Sequence, residues 1–147
     1  MPTKGTILVA DDSANDIFFL SIALEESGLD SLLVTVEDGA EAIAYLSKEQ
    51  LPDLLLLDLK MPKMTGFEVL KWIKNTPKLC NLPVVIWSNS PLESDRQRAL
   101  NLGATDYVVK TADLNALESF LRDWHSRFLA SCQVDRTPRP LAANQNR

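Results

Sequence analysis

An α/β fold, a parallel β-sheet wound on both faces by helices, is predicted by three observations. Five short apolar runs alternate with five segments of helical character, the linkers between them are short, and no stretch repeats another. The third apolar run, Leu54–Leu55–Leu56–Leu57, is apolar at every position, as a strand covered on both faces must be. Alternation of this kind builds βαβ units with right-handed crossovers.

Each element has its own signal. Ile7–Leu8–Val9–Ala10 is a first strand that ends at Asp11–Asp12. Ser13 or Asn15 can cap a helix over Ala14 to Glu26, with Asp16 favourably near its positive end. Ile17, Leu20 and Leu24 keep helical spacing there, and Gly28 stops it. Leu32 to Val36 is a second strand; Asp38–Gly39 turns the chain into a helix from Ala40 to about Lys48.

Pro52–Asp53 introduces the leucine strand, which ends in Asp58, and Pro62 forbids its simple continuation. After a loop through Thr65–Gly66, a third helix carries Phe67, Leu70 and Ile73 and ends before Pro77. Pro83 opens the strand Val84–Val85–Ile86–Trp87, which ends in Ser88. Pro91 suits the first position of a polar helix to Leu102, ended by Gly103. Arg96 and Arg98 give that helix a solvated face. Tyr107–Val108–Val109 is the fifth strand, ending in Lys110. Leu117, Phe120, Leu121, Trp124 and Phe128 stripe the last helix. From about Ser131 the composition turns polar and proline-bearing, so the expected organisation is one domain over 1–130 and a flexible tail over 131–147.

Composition narrows the function classes. A chain of 147 residues, 46% apolar and 24% charged, suits one soluble core. Twenty acidic against 15 basic residues, a net charge of −5, argue against a nucleic-acid or anionic-membrane surface. No apolar run approaches the roughly 20 residues of a membrane span. The N-terminus reads directly into a strand without a signal peptide, so a cytoplasmic location with reduced Cys80 and Cys132 is expected. A single histidine, His125, leaves little for a histidine-based metal site or triad.

The chemistry gathers at the strand ends. In open parallel sheets ligands bind beyond the carboxyl ends of the strands. Here those ends carry Asp11–Asp12, Asp58, Ser88 and Lys110. Any one of them has a plainer use: a strand-end aspartate caps helices, a serine forms turns, a lysine is solvated. Four coinciding in one alternating chain point to a shared crevice. Carboxylates about 4 Å apart repel by about 4 kcal/mol per pair at a surface-like dielectric. A hard divalent cation removes that cost, and Mg²⁺, which takes oxygen ligands, is the natural occupant. Mg²⁺, a hydroxyl, an amine and a nucleophilic carboxylate suit phosphoryl transfer.

On these residues the sequence resembles the receiver domains of two-component response regulators. The matching stretches are Leu8–Asp12, Leu57–Pro62 with Gly66, Pro83–Ser88, and Gly103–Ala104 with Tyr107–Lys110. Together they span about residues 5 to 128. The resemblance implies the five-stranded, flavodoxin-like (βα)5 receiver fold with strand order 2-1-3-4-5. It implies that Asp58 accepts a phosphoryl group from a histidine kinase. Asp12, Asp58 and the backbone carbonyl of Lys60 would hold Mg²⁺, with Asp11 acting mostly through water. Ser88 and Lys110 would bind the phosphoryl oxygens, and Tyr107 would turn inward as Ser88 moves. Lys60 and Ser90, two residues beyond Asp58 and Ser88, would tune the phosphorylated lifetime.

One departure concerns Lys110, which family members usually follow with a cis proline; Thr111 stands here, and a trans Lys110–Thr111 bond or a local rearrangement is expected. With Asn15–Asp16 and Asn75–Thr76–Pro77, this looks like the stand-alone regulators paired with bacteriophytochrome kinases. Output would then be contact with a downstream protein, a homodimer included, through the face of the fourth helix, fifth strand and fifth helix. The rival readings are a degenerate receiver used as a scaffold, a flavin carrier and a haloacid dehalogenase-type hydrolase. Against them stand the full set of Asp11, Asp12, Asp58, Ser88 and Lys110, the lack of a hydroxyl-rich loop after the first strand, and Lys60 where the hydrolase needs an acid.

Overall fold

A computed structural model describes residues 5–48 and 50–129. The segment read as a tail, 131–147, and Cys132 lie outside the described residues. In chain order the elements are β1 (Gly5–Ala10), α1 (Ala14–Ser27), β2 (Ser31–Val36), α2 (Gly39–Leu46) and β3 (Leu54–Leu57). They continue with α3 (Gly66–Lys74), β4 (Val84–Ser88), α4 (Glu93–Asn101), β5 (Asp106–Val109) and α5 (Leu114–Trp124). The five strands are parallel, in the order β2-β1-β3-β4-β5. No described helix is long and apolar enough to cross a membrane.

The leucine strand is the centre of the sheet, and its pleat divides it. Leu55 and Leu57 join Leu8, Ala10, Val84 and Ile86 in a core closed by Ala42, Leu46, Val69, Leu70 and Ile73 of α2 and α3. Leu54 and Leu56 join Ile7, Val9, Val85 and Trp87 on the opposite face, under Leu20, Leu24, Leu117, Leu121 and Trp124 of α1 and α5. Side chains along a strand point alternately to either face, so only an all-apolar run serves both cores at once.

Helix ends follow the local chemistry. Gly28 ends α1 in the left-handed region, φ 73°, where a Cβ is disfavoured. At α3, the Thr65 hydroxyl accepts the Glu68 N–H (3.2 Å) and the Glu68 carboxylate accepts the Thr65 N–H (2.8 Å), a complete capping box. Thr65→Ala is expected to cost about 1 kcal/mol, read as a melting point lower by roughly 2–4 °C.

Several boundaries differ from the sequence reading. Helix α4 begins at Glu93 rather than Pro91. The Ser90 hydroxyl accepts the Leu92 N–H (3.3 Å) and donates to Asp95 (2.6 Å), which keeps the chain turned for two more residues. Helix α2 stops at Leu46, with Ser47 as its C-cap. Pro77–Leu79 forms a short 3-10 turn. Beyond Trp124 the last helix widens into a π-helical turn, His125–Leu129, which carries Phe128. Arg98 is more than solvated: its guanidinium lies over the Phe67 ring, 4.0 Å from the centroid. The Arg96 guanidinium reaches the Tyr107 carbonyl at 3.5 Å. The Lys110–Thr111 bond is trans.

Candidate functional site

Sheet register assembles the site. Ala10 pairs with Leu57, and Leu57 with Ile86, so Asp11 and Asp58 leave adjacent strands at the same level. The Asp58 N–H still donates to the Ala10 carbonyl (3.0 Å), extending the ladder by one rung. Ser88 pairs with Val109, which places Ser88 one strand and Lys110 two strands beyond Asp58 at the same carboxyl edge. The Lys110 N–H donates to the Ser88 carbonyl at 2.8 Å.

Carboxylate oxygens of Asp11, Asp12 and Asp58 lie within 4.8 Å of one another. Asp11 is fully buried, Asp58 nearly so, and Asp12 is exposed. The Lys110 side chain, 5% exposed, threads into this cluster. Its Nζ is 2.6 Å from Asp11 Oδ2, 2.8 Å from Asp16 Oδ2 and 3.4 Å from Asp58 Oδ2, and the Trp87 ring lies 5.0 Å away. Burial works against the Lys110 charge. The bonds that the ammonium donates to Asp11 and Asp16, and the charges of Asp58 and Asp11, outweigh it and hold the ammonium above its ordinary 10.5. Burial, the largest influence, and the Asp11 charge push the Asp58 carboxyl up from 3.8 to about 6, against the pull of Lys110.

The donor set fits a hard divalent cation. It is all oxygen and gathers three carboxylates around one ammonium, which leaves net negative charge for a cation to neutralise. Lys60 is exposed and borders the same cleft as Asp12, Leu59, Met61, Pro62 and Thr65.

The remaining sequence-derived positions form a second group beside the first. Ser88, 2% exposed, accepts the Ser90 N–H at 3.2 Å. Tyr107 is buried, and its hydroxyl donates to the Ser90 carbonyl at 2.8 Å. The Ser90 side chain is turned to Asp95 of α4. Sequence reasoning sets Asp16 at a helix start and within the Asn15–Asp16 likeness, but not against Lys110. The available signal was its position one turn after Asp12, which carries it back over the strand edge.

A family model described as the response regulator receiver domain matches residues 7–122. The response regulator Rcp1 of Synechocystis is 33% identical over 129 residues, which cover 84% of this chain and 88% of that protein. A crystal structure of its Mn²⁺-bound form superposes with a TM-score of 0.74 at 33% identity, covering 84% of this chain and 93% of that one. The phosphorylated cyanobacterial phytochrome response regulator RcpA gives 0.75 at 33% identity, covering 95% and 100%. A Vibrio cholerae protein described as a probable cyclic di-GMP phosphodiesterase is 35% identical over 117 residues, 80% of this chain but only 26% of that larger protein. On the family match, the sheet order and the acidic strand-end cluster, the chain belongs to the response regulator receiver domains of two-component signalling.

Proposed function

We propose that this chain is a phosphorylation-controlled switch in which Asp58 takes a phosphoryl group from the phosphohistidine of a sensor kinase. The observation that carries this reading is the convergence of Asp11, Asp12 and Asp58 with the Lys110 ammonium at one carboxyl edge of the sheet. An Asp58 oxygen bonds to phosphorus as the P–N bond breaks and the imidazole leaves. Asp12, Asp58 and the Lys60 carbonyl would hold Mg²⁺, and Asp11 would act on it mostly through water. When bound, the ion neutralises charge on the transferring phosphoryl group. Lys110 pairs with one phosphoryl oxygen and the Ser88 hydroxyl donates to another.

The Ser88 hydroxyl oxygen accepts the Ser90 N–H, so a displacement of Ser88 toward Asp58 pulls on that bond. Ser90 also holds Tyr107 and Asp95, so that displacement reaches β5 and α4 together. The chain catalyses its own phosphotransfer and dephosphorylation and is not a dedicated enzyme. Lys60 and Ser90 tune the lifetime of the phosphorylated form. The domain occupies 1–130, with 131–147 as a tail, in the cytoplasm. Likeness to Rcp1 and RcpA, together with Thr111 after Lys110, supports a bacteriophytochrome kinase as the donor. The downstream protein, or a second copy, reads α4, β5 and α5.

Incubation with Mg²⁺ and acetyl phosphate is expected to add one acid-stable, base-labile phosphoryl group, mapped to Asp58 by mass spectrometry and abolished by chelation. No gain, or a gain on another residue, would refute the reading. Repeated turnover of small phosphate esters would indicate a hydrolase instead.

A further inference from the structure

We propose that Asp16 is a positioning residue that competes with the incoming phosphoryl group for Lys110 and so restrains phosphorylation; the proposal rests on the switch reading above. Its geometry starts at the first turn of α1. Asp16 is the third helical residue, and its N–H is capped by the Ser13 hydroxyl at 3.2 Å. In a capping box the side chain at this position reaches back to the N-cap N–H. Here the Ser13 N–H already donates to Asp11 Oδ1 at 2.9 Å. The Asp16 carboxylate is therefore released from capping and extends across the strand edge to Lys110.

An ammonium has three protons to donate, and three carboxylates surround this one. Lys110 Nζ is closer to Asp16 (2.8 Å) than to the phosphoacceptor Asp58 (3.4 Å). Asp11 and Asp58 belong to the cation-binding set, and Asp16 does not. Once the former face a divalent cation, Asp16 is the carboxylate left to compete for Lys110. The pair also borders an open cleft between α1 and the loops after β4 and β5, lined by Phe19, Asn89, Thr111 and Ala112. That leaves room for the ammonium to change partners. Asp16 lowers the availability of the cation that the phosphoryl group needs and adds negative charge on the approach of an anionic donor.

The test compares wild type, Asp16→Asn, Asp16→Glu, Lys110→Met and the Asp16→Asn/Lys110→Met double variant. Two readouts are followed at fixed Mg²⁺: the rate of uptake from acetyl phosphate, and half-saturation by beryllofluoride, a phosphoryl mimic. Asp16→Asn is expected to speed uptake about three- to fivefold and to lower half-saturation by a similar factor, the scale of one partly exposed ion pair. Asp16→Glu, which can re-form the pair, is expected to stay near wild type, and the effect is expected to vanish without Lys110. Unchanged or slower uptake in Asp16→Asn, or the same gain in the Lys110→Met background, overturns the role of Asp16 alone. Failure of wild type to take up phosphoryl or beryllofluoride overturns the switch reading and this proposal with it.

Discussion

Asp58→Asn is expected to take up no phosphoryl group and, in metal-free buffer at pH 7.5, to melt higher than wild type. Loss of uptake follows from loss of the nucleophilic oxygen, because an amide cannot replace the carboxylate at phosphorus. The gain in stability follows from electrostatics. Burial first, and then the Asp11 charge, raise the Asp58 carboxyl to about 6 from an ordinary 3.8. A raised carboxyl binds its proton more tightly in the folded chain than in the unfolded one. Its contribution to stability is complete below about 3.8 and is lost as pH rises through about 6. At pH 7.5 wild type carries the whole penalty.

Asparagine keeps the shape without the charge and removes that penalty, which is already net of the Lys110 attraction, by about 1–2 kcal/mol once the cost of burying the amide is counted. For a chain of this size that is roughly 2–8 °C in melting point. Mg²⁺ should act oppositely on the two proteins. Binding only the folded cluster stabilises wild type in proportion to the logarithm of Mg²⁺ concentration, and Asp58→Asn should respond weakly. Melts at pH 4.5 and 7.5, with and without Mg²⁺, check all of this. A lower melting point for Asp58→Asn at pH 7.5 without Mg²⁺ would contradict the electrostatic account.

The fold was legible because its strands carry nearly all of their own information. Leu54–Leu57 must serve two cores, so all four positions are apolar, and the first residue free of that demand is Asp58. The same break appears after Ala10, Trp87 and Val109, which is why the sheet edge could be populated from spacing alone. Partnerships across the edge were less legible. An acid in the first turn of a helix reads as a favourable dipole contact, and nothing local reveals that Asp11 has taken over the Ser13 N–H. The Asp16–Lys110 pair joins residues 94 apart in the chain.

Pro91 misled for a related reason. Proline suits a first helical position, but the Ser90 hydroxyl bonds to Leu92 and Asp95 delay the helix. Arg98 is exposed as its polar helix implies, and its added contact with Phe67 of the preceding helix is one that spacing along the chain does not report. In each case the deciding contact is long-range or bridges a turn, and periodicity reports neither.

Gly66→Ala is expected to lower stability by about 3 kcal/mol or more and to remove both Mg²⁺ response and phosphoryl uptake. Gly66 is the first residue of α3, and its N–H donates to the Leu59 carbonyl at 2.9 Å. The loop after β3 thereby folds back onto the phosphoacceptor. A Cβ at Gly66 would overlap the Asp58 carbonyl oxygen and stand 2.8 Å from Leu59 Cα and 3.0 Å from the Asp58 carbonyl carbon. All three are backbone atoms, so no rotamer change relieves the overlap. Either α3 moves outward, opening the Val69–Leu70–Ile73 face of the core, or Asp58 moves off the Asp11–Asp12 cluster.

Gly28→Ala separates this effect from glycine chemistry in general. A Cβ at Gly28 meets nothing within 4 Å, and only its φ of 73° penalises a side chain there. That variant should lose about 1–2 kcal/mol and keep full Mg²⁺ response and uptake. If Gly66→Ala instead melts like Gly28→Ala and still takes up phosphoryl on Asp58, the fold-back of α3 onto Asp58 is not what holds the phosphoacceptor in place.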